Sequence, residues 1–318
     1  MAVYTNLGAE DLSALIAHYD VGTLQSAKGI AEGVSNSNWL IETSKARYIL
    51  TMYERRIETS DLPFFLGLLD HLAAANCPVP RTIHDREGAA YRMIGDKAVA
   101  LIEFLPGVSP DQPSAEQARS VGAALAEMHL AAQNFPLQRV NALGPESWTD
   151  VLEECGADAL AGIDPALPAT IGTAREVATN WPAGLPETII HSDLFPDNVL
   201  MLDGHVTGMI DFYFACTGAA AYDLAVTHAA WCFTSDGSQL RPEISAALIA
   251  GYESHRPLQP AERAALPLLA QGACLRFISS RAADWLEMQD DALVCRKNPI
   301  EFVKRLSQYS EMGSRAFQ

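Results

Sequence analysis

Residues 191 to 212 read HSDLFPDNVLMLDGHVTGMIDF, and four polar residues with chemical potential, His191, Asp193, Asn198 and Asp211, stand there among runs of Val, Leu, Ile and Met. Burying a carboxylate costs several kcal/mol unless it is paired or holds a metal, so this placement needs a chemical reason. Asp193 can orient a hydroxyl and accept its proton. Asn198 lies close by in sequence, and Asp211 is delivered by the return strand of a hairpin; both are hard oxygen donors suited to a divalent cation. His191 would brace the loop rather than react. The reaction such a set serves is phosphoryl transfer from Mg-ATP to an alcohol, where catalysis is mostly positioning and charge stabilisation.

The spacing His191-x-Asp193-Leu194-x-x-x-Asn198, then a hairpin, then Ile210-Asp211-Phe212, is that of the protein-kinase catalytic loop and its following metal-binding Asp. A plainer reading has Asp193 and Asp197 capping a helix and Asp211 ending a strand; it leaves the polar density of HSDLFPDN unexplained. Upstream, GIAEGVSNSNW sits between two predicted strands, where a kinase places its phosphate-covering loop. Gly29 and Gly33 permit close backbone approach, while Ser35, Asn36 and Ser37 offer small donors to phosphate oxygens. Taken alone, the same segment could be an ordinary hairpin turn. ALIEFLPG then reads as a strand and hinge, with the Glu103 carbonyl and the Leu105 N–H facing adenine.

These residues need a framework. Residues 9–19 place Leu12, Leu15, Ile16 and Tyr19 on one helix face. The period then shortens to strands carrying Trp39, Ile41, Tyr48, Ile49 and Leu50. DLPFFLGLLDHLAAA predicts a helix with Asp61 as N-cap, Pro63 in its first turn and Asn76 closing it. From Ser114, which forms a capping box with Gln117, a helix is expected to about Ala132. Residues 134–187 read as helices punctuated by loops, Asp203-Gly204 as a hairpin turn, and everything after Ala219 as helices. The expectation is an α+β, protein-kinase-like two-lobed fold. Residues 1–105 form a nucleotide-binding lobe, an antiparallel sheet with one covering helix, and residues 106–318 a mostly helical catalytic and acceptor-binding lobe.

Bulk properties restrict the partners. The 318-residue chain carries a formal charge of -17, so nucleic acid and anionic membrane surfaces are not expected partners. No apolar run approaches a membrane-spanning length, and MAVYTNLGAEDL shows no export leader, which points to the cytoplasm. The six cysteines form no CxxC pair and read as reduced thiols in or near the core. Nothing in the sequence identifies a protein partner.

With these segments placed, the chain resembles the aminoglycoside phosphotransferase and choline kinase superfamily, and within it the bacterial homoserine kinases of that fold. The resemblance runs through GIAEGVSNSNWLIET, RYILTMYERR, DLPFFLGLLDHLA, HSDLFPDNVLML, GMIDFYFAC, AYDLAVTHAAWCF, GYESHRPL and QGACLRFISSRAADW, spanning residues 29 to 285. It implies ATP and Mg²⁺ as cofactors and L-homoserine as the small-molecule substrate, giving O-phospho-L-homoserine, a step toward threonine. It also implies Asp193 as base, Asn198 and Asp211 as metal ligands, and Asp223 as the carboxylate holding the catalytic loop's backbone. Thr51 stands where most relatives place the phosphate-gripping lysine, and Phe65 lies near the usual glutamate position. Joint loss is coherent, since losing one alone would strand a charge. Arg55 or Arg56 could supply the cation, or be solvated arginines.

An acceptor carrying a carboxylate and an ammonium needs a partner for each. Arg276 is the candidate for the carboxylate, against an ordinary intrahelical pair with Ser280 or Asp284. His228 and Trp231 are further candidates, against packed core residues; Trp231 and Trp285 could also cage a quaternary ammonium. His129 reads as core-facing. Rival readings are a kinase of another small alcohol, such as choline, an aminoglycoside or a sugar derivative, and a nucleotide-binding pseudokinase.

Overall fold

Leu12, Leu15 and Ile16 recur at helical spacing in α1 (Ala9–Ile16) and are buried, so the first element presents an apolar face that a sheet must cover. The structure is a computed structural model and describes residues 7–30, 36–54, 57–287 and 296–318. The chain divides into two compact units, Met1–Pro106 and Gly107–Gln318.

In the first unit, β1 (Leu24–Ile30), β2 (Asn36–Thr43), β3 (Arg47–Tyr53), β4 (Thr82–Ile83), β5 (Arg92–Ile94) and β6 (Lys97–Glu103) build one antiparallel sheet. Its order is β1-β2-β3-β6-β4, with β5 also on β6. Register puts Leu50 opposite Trp39 and Leu101, and Met52 opposite Val99. Alternation sends these side chains to one face, where they form a cluster with Leu12, Leu15, Ile16 and Tyr19. Thr51, one step along, sits opposite Asn38 and Ala100. The second helix, α2 (Leu62–Ala74), carries Pro63 in its first turn and ends before Asn76, which adopts a left-handed φ of 62°.

In the second unit, α3 (Ala115–Ala132) starts with the expected reciprocal capping box of Ser114 and Gln117. Three helices follow: α4 (Pro145–Cys155), α5 (Ala157–Ile163) and α6 (Ala169–Thr179). β7 (Glu187–Ile190) pairs with β10 (Cys216–Ala219), and between them β8 (Val199–Leu202) and β9 (His205–Met209) form a hairpin. Asp203 and Gly204 both have positive φ, 48° and 80°, as a two-residue hairpin turn requires. Then come α7 (Ala220–Trp231), α8 (Pro242–Glu253), α9 (Pro260–Glu287) and α10 (Ile300–Met312). α7 is buried almost throughout, which explains why its sequence lacks an amphipathic period. Helices α3 and α8 meet backbone to backbone: a Cβ on Gly122 would lie 2.1 Å from the Leu248 carbonyl oxygen, and one on Gly251 2.0 Å from that of Arg119.

No described helix is long and apolar enough to cross a membrane. Cys77, Cys155, Cys216, Cys232 and Cys274 are free thiols, four of them buried; Cys295 lies outside the described residues.

Candidate active site

β10 runs antiparallel to β7 with Ala219 opposite Glu187, so α7 begins beside the entry of β7, where the Ala220 N–H donates to the Pro186 carbonyl, and the helix packs along the strand. Asp223, in the first turn of α7, uses this proximity. Its Oδ2 accepts the His191 backbone N–H and its Oδ1 that of Ser192, both at 2.7 Å. His129 of α3 reaches the same carboxylate through Nε2 at 2.9 Å, and its Nδ1 bonds the Tyr252 hydroxyl at 2.8 Å. Burial works against ionisation of Asp223, but His129, His191 and the backbone donor outweigh it and hold the carboxyl below its ordinary range. Ser192 takes a left-handed φ of 66° under these bonds.

His191 is fully buried and makes one bond as donor and one as acceptor. Its Nε2–H donates to the Ile210 carbonyl at 2.9 Å, and Nδ1 accepts the Asp193 N–H at 3.2 Å, a tautomer assigned from this network. Burial pushes its pKa down, in keeping with a neutral ring that joins the loop to the strand leading into Asp211.

Asp193 is positioned on both sides. Asn198 donates from Nδ2 to the Asp193 carbonyl at 2.8 Å and to Asp193 Oδ2 at 3.3 Å, while Arg276 Nη1 lies 3.4 Å from Oδ1. Burial raises the Asp193 carboxyl; Arg276, His191 and Lys297 oppose the rise. With its amide nitrogen so engaged, Asn198 keeps Oδ1 without a partner among the described residues. The Ile210 N–H donates to the Asn198 carbonyl at 3.0 Å, which brings Asp211 next to Asn198. Asp211 is itself left-handed, with φ 65° and ψ 58°. The residue is exposed, and desolvation of its carboxyl together with the charges of Asp193 and Asp197 pushes that group up to about 7. A carboxylate crowded by like charges, next to an unpartnered amide oxygen, fits a hard divalent cation. No described group of three His, Cys, Asp or Glu could cage a metal, so phosphate and water oxygens would have to complete the shell.

Several expected residues sit elsewhere. His228 is wholly buried, with Nδ1 on Tyr309 Oη at 2.6 Å and Nε2 on Ser245 Oγ at 2.7 Å; both nitrogens are engaged in helix packing, and burial lowers its pKa to about 3. Trp231 is 1% exposed and donates from Nε1 to the Leu194 carbonyl at 2.8 Å. It braces the segment after Asp193 from the core instead of facing an acceptor or an ammonium cage. Arg276 does not make the intrahelical pair with Ser280 or Asp284; its Nη1 donates to the Ser192 carbonyl as well as approaching Asp193.

In the first unit, Ser37 is fully buried with its hydroxyl donating to Glu54 Oε1 at 2.7 Å, and Glu54 also binds Lys97, so Ser37 is turned from the phosphate role. Asn36 is buried. Gly33, Ser35, Arg55 and Arg56 lie outside the described residues. Glu103 ends the pairing of β6, opposite Tyr48, and the Leu105 N–H makes no hydrogen bond among the described residues. Thr51, where a lysine is usual, is buried and donates to Asn38 Oδ1 at 2.8 Å; Phe65 is buried with its ring edge-on to Phe64. Neither replacement strands a charge.

Sequence reasoning passed over two contributors. His129 read only as a core residue, since nothing local announces its bond to Asp223. Lys297, 3.7 Å from Asp197, is near enough to lower the carboxyls of Asp193 and Asp211.

Comparison with known proteins shows what the chain as a whole is similar to. Residues 26–258 match the phosphotransferase enzyme family. A homoserine kinase of Xanthobacter autotrophicus is 46% identical over 99% of this chain and 98% of its own, and one of a Chelativorans species 50% identical over 96% and 95%. Among solved structures, a spectinomycin phosphotransferase in complex with ADP and spectinomycin superposes with TM-score 0.70 at 13% identity, over 98% of this chain and 100% of its own. A choline kinase from Cryptosporidium parvum gives 0.66 at 13%, covering 98% of each chain. At such identities these structures show a shared fold. The chain belongs to the phosphotransferase enzyme family and, within it, to the group formed by the homoserine kinases it matches along nearly its whole length.

Proposed function

We propose that the protein is an ATP-dependent homoserine kinase, transferring the γ-phosphoryl group to the hydroxyl of L-homoserine to give O-phospho-L-homoserine and ADP. The observation that carries this reading is the bonded set Asp193, Asn198 and Ile210-Asp211, fixed by Asp223 and His191. The near-full-length likeness to homoserine kinases selects the acceptor.

Asp193 accepts the hydrogen bond of the acceptor hydroxyl, points its oxygen at the γ-phosphorus and takes the proton as that O–P bond forms and the bond from the γ-phosphorus to the β,γ-bridging oxygen breaks, the electron pair leaving with ADP. Arg276, His191 and Lys297 oppose the burial that would otherwise keep Asp193 protonated. Asn198 Oδ1 and Asp211 would hold Mg²⁺, which would supply neutralisation of the phosphate charge. The Leu105 N–H and the Glu103 carbonyl are the groups suited to the adenine edge.

ADP release measured with L-homoserine, choline, an aminoglycoside and a sugar alcohol tests the assignment. Strong stimulation by L-homoserine supports it. Stimulation by another alcohol alone overturns the acceptor, and ATP binding without turnover on any acceptor overturns the activity.

A further inference from the structure

Arg276 is 3% exposed and lies at the catalytic carboxylate, yet its hydrogen bonding is one-sided. Nη1 donates to the Ser192 carbonyl and lies 3.4 Å from Asp193 Oδ1, and these are its only hydrogen bonds among the described residues. Nη2 and Nε, which form the other edge of the planar fork, make none. The guanidinium lies over two rings, with its carbon 4.4 Å from the Phe277 centroid and 5.3 Å from that of Phe214. Cation–π contact and near-complete burial lower the local dielectric, which strengthens whatever the free edge binds.

A buried guanidinium needs a full set of acceptors, and the contact to Asp193 is long and shared with Asn198. The free edge matches a carboxylate, because Nε–H and Nη2–H form two parallel bonds to its oxygens. In a chain of net charge -17, an anionic acceptor requires such a local cation.

We propose that the free edge of Arg276 binds the carboxylate of the acceptor, making the protein selective for hydroxy amino acids over amino alcohols of the same length. This rests on the kinase reading above. The same guanidinium thus fixes the acceptor and, through Nη1, the loop bearing Asp193.

The test uses the full chain with Mg²⁺ and a non-hydrolysable ATP analogue, titrated with L-2-aminobutyrate, which is L-homoserine without its hydroxyl, and with n-propylamine, which also lacks the carboxylate. Wild type should bind L-2-aminobutyrate about 10²-fold more tightly than n-propylamine, and Arg276→Gln should abolish most of that difference. Arg276→Lys, keeping the charge without the fork, should recover only part of it and serves where the Gln variant does not fold. In turnover, the ratio of kcat/KM for L-homoserine to that for 3-amino-1-propanol should collapse in Arg276→Gln. Unchanged L-2-aminobutyrate affinity in either folded variant, or no wild-type preference for it over n-propylamine, overturns the proposal. Arg276-dependent binding without turnover of L-homoserine would uphold the carboxylate site and refute the activity, so the two failures are distinguishable.

Discussion

Asp223 spans two successive backbone N–H groups, taking that of His191 on Oδ2 and that of Ser192 on Oδ1 at 2.7 Å each. A single carboxylate thereby fixes the turn that aims Asp193. Asp223→Asn places an amide where one of these donors needs an acceptor, with an expected cost of about 3 kcal/mol in stability and ~10²-fold in kcat. Because the Asp223 carboxyl is held below its ordinary range, its stabilisation is fully present above ~4 and lost as pH falls through the depressed native value. Urea titrations should therefore show the variant's deficit undiminished from neutrality to pH 5 and shrinking in stronger acid. A deficit that is the same at every pH would contradict the assignment.

Asp193→Asn keeps the shape of the side chain and removes its basicity. Turnover should fall by ~10² or more with ATP affinity nearly intact, since the residue acts on the acceptor hydroxyl. Single-turnover rates and nucleotide titration check this; an unchanged kcat removes Asp193 from the proton's path.

Asp211 links metal binding to pH. With its carboxyl pushed up to about 7, the metal-free native protein retains a proton there that the unfolded chain has lost above ~4. This favours the native state at low pH and is lost as pH rises through about 7. Mg²⁺ competes with the proton, so its thermal stabilisation should be larger at pH 8 than at pH 6, and small at both in Asp211→Asn. Equal Mg²⁺ shifts of wild-type Tm at the two pH values would exclude Asp211 as a ligand.

Trp231→Phe should separate loop support from acceptor contact. Losing the indole N–H leaves the buried Leu194 carbonyl without its partner, at a cost of about 1–3 kcal/mol. The KM for L-homoserine should stay within about twofold of wild type. A large rise in KM with unchanged stability would return Trp231 to the acceptor site.

Alternation, capping and turn chemistry act over a few residues, so they were legible in the one-dimensional pattern. The Leu50 and Trp39 face, the Ser114 cap and the Asp203-Gly204 hairpin appear where that pattern puts them. Spacing likewise announced His191, Asp193, Asn198 and Asp211, because one loop and one hairpin bring them together and the offsets within so short a segment are nearly rigid.

Residues distant in sequence behaved otherwise. Arg276 and Ser192 meet across 84 positions, and His129 and Asp223 across 94, so no local rule distinguishes these bonds from helical packing. His228 and Trp231 looked as fit for a substrate as for a core, and only burial inside α7's surroundings settled their partners. The sequence by itself determined the class of chemistry and the loop proposed to perform it, because both reside in short-range spacing. Tertiary structure alone decided which buried groups brace that loop and which edge of Arg276 stays open, because hydrogen-bond partners are chosen by proximity in space once helices and strands have packed.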